Sequence, residues 1–98
     1  MNYWIHPDAE TELGDAAFYY AEHAGLAISD ALLLEFERVL KILVENQRRG
    51  SYGEFGFRVY HFGRFPYSVI YEEHALAGPQ IYAVAHQHRE PRYWLGRA

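Results

Sequence analysis

A chain of 98 residues with no cysteine and a formal net charge of −4 excludes a disulfide framework, a thiolate metal site, a cysteine nucleophile and a broadly basic nucleic-acid binder. Half of the residues are apolar and 17% are aromatic, enough for one packed core, too little for two, and too much for a disordered chain. No run approaches the roughly 18 apolar residues that span a bilayer, and residues 1–20 carry no signal-peptide pattern, so a cytosolic, single-domain protein spanning 1–98 is expected.

Residues 2–6 read as a short strand stopped by Pro7. Proline suits the first helical position, and Asp8 and Glu10 then meet the positive end of the helix dipole. Leu13, Ala16, Ala17, Tyr20 and Ala24 recur at spacings of three and four, which predicts a helix over 8–24, ended by Gly25. A second helix over 27–46 carries Leu32, Phe36, Val39, Leu40 and Leu43 as its apolar stripe, and the short connection forces an antiparallel hairpin. Residues 46–56 are polar with Gly50, Gly53 and Gly56, which predicts a loop; the glycine spacing is too irregular for a phosphate loop.

Three strands follow, at 57–62, 65–73 and 80–87. Only Gly63 and Arg64 separate the first two, the pattern of a tight hairpin, and Gly78-Pro79 marks the next turn. Alternation is incomplete: Tyr67, Val69 and Tyr71 share a face while Ile70 lies on the other, and Ala83, Val84 and Ala85 are apolar on both faces. Strands of this kind have something covering each side. The tail 88–98 is rich in arginine and aromatic residues. The expected fold is α+β, β-α-α-β-β-β, with a helical hairpin on one face of an antiparallel sheet. The exposed part of the opposite face is then the natural place for function.

Charge is unevenly placed. Eight acids (Asp8, Glu10, Glu12, Asp15, Glu22, Asp30, Glu35, Glu37) precede the first base, and from Arg38 onward nine bases meet five acids. Eight of those bases are arginine, whose planar fork suits phosphates, carboxylates and aromatic rings.

Two stretches carry a family pattern: Arg64-Phe65-Pro66-Tyr67-Ser68-Val69-Ile70-Tyr71 and Ala83-Val84-Ala85-His86-Gln87-His88-Arg89-Glu90-Pro91-Arg92-Tyr93-Trp94. With Pro7 opening the first helix and the 36–46 end of the second, they make the chain resemble the RelE/ParE superfamily of toxins, in particular its ParE-like, plasmid-stabilisation branch. The resemblance implies the same β-α-α-β-β-β fold, a toxin of a type II toxin-antitoxin system, and a cognate antitoxin that wraps it in a hetero-oligomer. It leaves the target open. Some members cut mRNA on the ribosome, whereas ParE-type members inhibit DNA gyrase without being enzymes.

Cleavage of RNA by its own 2′-hydroxyl needs a base, an acid and positive charge for the phosphate. Arg58, Arg64, His86, Arg89 and Tyr93 supply these types, with Arg58 and His86 expected on neighbouring strands. A gyrase contact needs arginine and aromatic anchors instead, and Arg89, Arg92, Tyr93, Trp94 and Arg97 form such a set. One lysine and a pI near 5.8 fit a protein target better than a ribosome. Gyrase inhibition is therefore the first expectation, mRNA cleavage the second, and an inert copy that only binds antitoxin the third.

Each feature has a plainer account. His86 and His88 have a spacing found in metal sites, yet without a neighbouring acid or cysteine they read as hydrogen-bonded sheet residues, so no metal or other cofactor is expected. Tyr67 and Tyr71 read as packing, Trp94 as a pin for the tail, Arg64 as a hairpin end, and His6 as a residue that only opens a helix. An exposed flank of the helical hairpin is where an antitoxin helix could lie.

Overall fold

The structure, a computed structural model, describes residues 2–97; residue 98 of the expected tail lies outside them. In chain order the elements are β1 (Trp4–Ile5), α1 (Pro7–His23), α2 (Leu26–Glu45), β2 (Ser51–Tyr52), β3 (Arg58–His61), β4 (Tyr67–Glu72) and β5 (Gln80–His86). Single 3-10 turns occupy Gln47–Arg49 and Glu54–Gly56. This is the expected α+β architecture, with a helical hairpin on one face of the sheet. One further strand, β2, lies inside the segment read as loop; two residues are too few to show a period.

Pro7 sits at the start of α1 as expected, and His6 does more than precede it. Its Nδ1 accepts the Asp8 backbone N–H at 3.0 Å, capping one of the first-turn donors that a helix leaves free. Gly25, at φ 98°, turns the chain between the helices in a conformation that a β-carbon disfavours. Ala16 and Ala17 let α2 approach closely, and the buried Ser29 hydroxyl donates to the Ala17 carbonyl at 2.7 Å across that contact. Leu32, Phe36, Val39 and Leu43 are buried on α2, with Leu40 half-buried beside them.

The sheet runs β1-β5-β4-β3-β2. It is antiparallel from β2 to β5, and β1 lies parallel to β5 at the far edge. Val69, Tyr71, Ile81 and Val84 face the helices and complete the main core. Ile70 and Ala83 face away and are covered by Trp94 from the tail, forming a second small core. That is why the strands are apolar on both faces. Between β4 and β5 the register skips Tyr82, so Ile70 opposes Ala83 while Tyr71 opposes Ile81. This bulge lets neighbouring residues of β5 break alternation.

The β3–β4 connection is wider than the two-residue hairpin expected from Gly63-Arg64. Residues 62–66 form it, because Phe62 and Phe65 both turn into the core and Pro66 has no N–H to extend the ladder. Glu35 of α2 braces the turn: its Oε2 accepts the Gly63 N–H at 2.6 Å and the Arg38 guanidinium at 2.6 Å.

Candidate functional site

On the face of the sheet away from the helices, residues 88–97 fold back as successive turns. Trp94 is the pin: it is buried, and its ring meets Phe57 edge-on at 4.6 Å. Tyr93, half-buried, lies between two guanidinium groups, with the Arg89 carbon 3.8 Å and the Arg97 carbon 5.0 Å from its ring centre. Its hydroxyl is buried without a hydrogen-bond partner, and burial, helped by the nearby Glu12 charge, raises its pKa far above the ordinary tyrosine value.

Glu12 of α1 organises this tail. Arg97 grips it with both nitrogens, at 2.9 and 3.1 Å, and Arg89 stands 3.8 Å away. The same carboxylate accepts the Val84 N–H at 3.0 Å, and Arg97 donates to the Tyr82 carbonyl at 3.0 Å. Both of those backbone groups belong to β5 beyond the point where β1 stops, so one ion pair satisfies an open sheet edge and fixes the tail.

The arginine-aromatic set expected at the tail is thus brought together, in two roles. Arg89 and Arg92 are exposed. Trp94 and Arg97 are engaged inside the molecule and hold the surface in shape. Arg92 adopts φ 66° and forms an ion pair with Glu54 at 2.8 Å, which ties the tail to the Glu54–Gly56 turn.

Of the set expected for RNA cleavage, His86, Arg89 and Tyr93 line one groove, whereas Arg58 and Arg64 do not join them. Arg58 and His86 do not sit on neighbouring strands, since β4 lies between them. Arg58 opposes Tyr71 and His86 opposes Tyr67, so they are also displaced along the strand by four residues, about 13 Å at the usual rise. Arg58 is buried on the helix side, bound to Glu73 at 2.5 Å and to the Gly50 carbonyl at 2.7 Å, with its guanidinium over the Tyr52 ring. It belongs to a structural staple. In the same staple, the Tyr71 hydroxyl donates to the Gln47 carbonyl at 2.6 Å and accepts the Gly50 N–H at 3.0 Å. Arg64 is exposed in the 62–66 turn, 5.8 Å over Phe65. His86 packs edge-on against Tyr67 and accepts the His88 N–H at 3.0 Å. Among the described residues no three acidic, histidine or cysteine side chains form a metal-binding group.

Between the tail and the outer face of β3–β5 lies an open groove of about 400 Å³. His61 and Ser68, which share a hydrogen bond of 2.6 Å, border it with His86, Arg89 and Arg92, over a floor of Ile70 and Ala85. His61, Ser68, Glu12 and Glu54 did not stand out in the sequence. Glu12 sits 85 positions from Arg97, and no local spacing announces such a pair. For His61 and Ser68 a signal existed: once the hairpin register is set correctly they face each other across β3 and β4.

No helix among the described residues is long and apolar enough to cross a membrane. No curated protein matches the chain. A solved structure described as the chromosomal ParDE TA system from P. aeruginosa is similar in fold, with TM-score 0.76 over 88% of this chain and 95% of that one, at 21% sequence identity. The family model described as ParE toxin of type II toxin-antitoxin system, parDE, matches residues 3–91. With that match over most of its length, and the helical hairpin, sheet and folded-back tail described above, the chain belongs to the ParE toxin family of type II toxin-antitoxin systems.

Proposed function

We propose that this toxin inhibits DNA gyrase through a non-enzymatic contact made by its C-terminal tail, and that a cognate antitoxin silences it. Arg89 and Arg92 touch the target, Tyr93 backs Arg89 with its ring, and Trp94 and Arg97 hold the tail against the sheet. The observation that carries this reading is the tail surface itself, together with the separation of Arg58 and Arg64 from the groove that holds His86, Arg89 and Tyr93. Arg58 is locked in an ion pair on the helix side, one strand away from any neighbour of His86, while the tail arginines and aromatics form one surface. Arginine and tyrosine are the usual anchors of a protein interface, and rigid backing lowers the entropy lost on binding.

A second reading, codon-positioned mRNA cleavage, draws on the groove where His61, Ser68, His86 and Arg89 converge. The two are separated by adding the purified toxin to a gyrase supercoiling assay and to a translating extract with mRNA ends mapped. Gyrase inhibition with intact mRNA, weakened by Arg89→Ala or Arg92→Ala, is the expected result. Codon-positioned cuts that disappear in His86→Ala would overturn it.

A further inference from the structure

Two described residues other than glycine hold a positive φ: Phe55 at 61° and Arg92 at 66°. Side chains with a β-carbon rarely adopt this conformation, and they keep it only where the surroundings dictate it. The two lie beside one contact. Arg92 is bound to Glu54, the residue before Phe55, at 2.8 Å. Below that ion pair, Phe57 packs on Trp94, and the turn is closed by the Gly53 N–H donating to the Phe57 carbonyl at 2.8 Å. The 53–57 turn and the tail are therefore fastened twice, once through a charge pair and once through aromatic rings.

Phe55 gains nothing inside the fold from its strained position, since it is 65% exposed. A large aromatic residue lifted into solvent by a conformation it disfavours is positioned for contact with another molecule. Arg89 and Arg92 flank the same surface, with side chains 53% and 57% exposed. The complementary surface is a protein face with an apolar socket rimmed by carboxylates. Phe18, Leu26 and Leu34 are exposed on the acidic helices, where we place the antitoxin contact.

We infer that the Glu54–Gly56 turn belongs to the target-binding surface, with Phe55 as an anchor that the target protein buries beside Arg92. The inference extends the proposed tail contact and rests on that reading for the identity of the target.

The test is Phe55→Asn, because asparagine tolerates positive φ and removes the ring without disturbing the turn. The thermal midpoint should hold or rise, and affinity for the antitoxin should stay within about twofold. Inhibition of gyrase and growth arrest on expression should each weaken about tenfold or more, the loss typical of an interface anchor. Leu76→Ser, at an exposed apolar residue in the β4–β5 turn, serves as the control and should leave both intact. Full growth arrest by Phe55→Asn, or equal loss in Leu76→Ser, would sink the inference. Loss of antitoxin affinity with toxicity kept would assign the turn to the antitoxin and sink it too. If the wild type fails to inhibit gyrase while growth arrest still depends on Phe55, the gyrase reading falls and this one stands.

Discussion

Glu12 joins three parts of this molecule: α1, β5 and the tail. It pairs with Arg97, stands beside Arg89, and accepts the Val84 N–H on the part of β5 that β1 does not reach. Its side chain and that of Arg97 are about 14% and 15% exposed, so removing one partner leaves a largely desolvated charge and an unsatisfied donor. Glu12→Ala is expected to cost about 2 kcal/mol in urea unfolding, with Glu12→Gln recovering part of it through the Val84 hydrogen bond. A change below about 0.5 kcal/mol would mean that the pair behaves as a surface ion pair of little worth. Nothing in the sequence marks Glu12 apart from the other seven acids of the first third. Arg58 shows the reverse. By residue type it is a fit member of a catalytic set, yet its partners Glu73, Gly50 and Tyr52 make it a staple between the 47–52 segment and β3.

At the level of elements, the helices and the three long strands were legible because each satisfies a period over many residues. Pro7 and Gly25 bound α1 within one residue of the expected limits, and the α2 stripe is the buried stripe. The hairpin between β3 and β4 is wider than Gly63-Arg64 suggests, because the core claims Phe62 and Phe65. Strand β1 was legible as a strand, but its parallel place beside β5 was not, since two residues contain no pairing information. That pairing depends on a close backbone approach at Gly78. Its φ is 80°, and a β-carbon there would stand 1.8 Å from the Asn2 carbonyl oxygen. Gly78→Ala is therefore expected to push β1 off the sheet. Amide exchange at Trp4 and His6, which donate to Pro79 and Ile81 at 3.0 and 2.8 Å, should accelerate while the α2 core amides stay protected. Unchanged protection at those two amides would show that the edge rearranges without loss.

For the whole molecule, the charge pattern of the sequence becomes an acidic helical hairpin joined to an arginine-bearing sheet and tail, with ion pairs at the seam. The seam pairs are those of Asp8 and Glu12 with Arg97, while two carboxyls, one paired within each part, have lowered pKa values. The Arg58 guanidinium holds Glu73 below the ordinary value of 4.5, and Arg38 does the same for Glu35, helped by the Gly63 N–H. A carboxyl whose pKa is lowered by folding contributes stability above its unfolded pKa and loses it as pH falls through the folded value. The thermal midpoint should thus be flat near neutrality and fall as pH drops below about 4.5. Glu73→Gln should lower the midpoint at pH 7 and make the acid fall shallower. A parallel displacement of the whole curve would deny Glu73 its part in acid unfolding.

By itself the sequence determined the element order, the helix faces, the sheet that is apolar on both sides and the family to which the toxin belongs. These follow from local periods and short motifs that do not depend on distant contacts. Only the tertiary structure decided that Arg58 is structural, that Arg97 and Trp94 hold the tail while Arg89 and Arg92 face outward, and that Glu12 and Glu54 fasten it. Those assignments depend on which residues 8 to 85 positions apart come into contact, and that is set by strand order and burial.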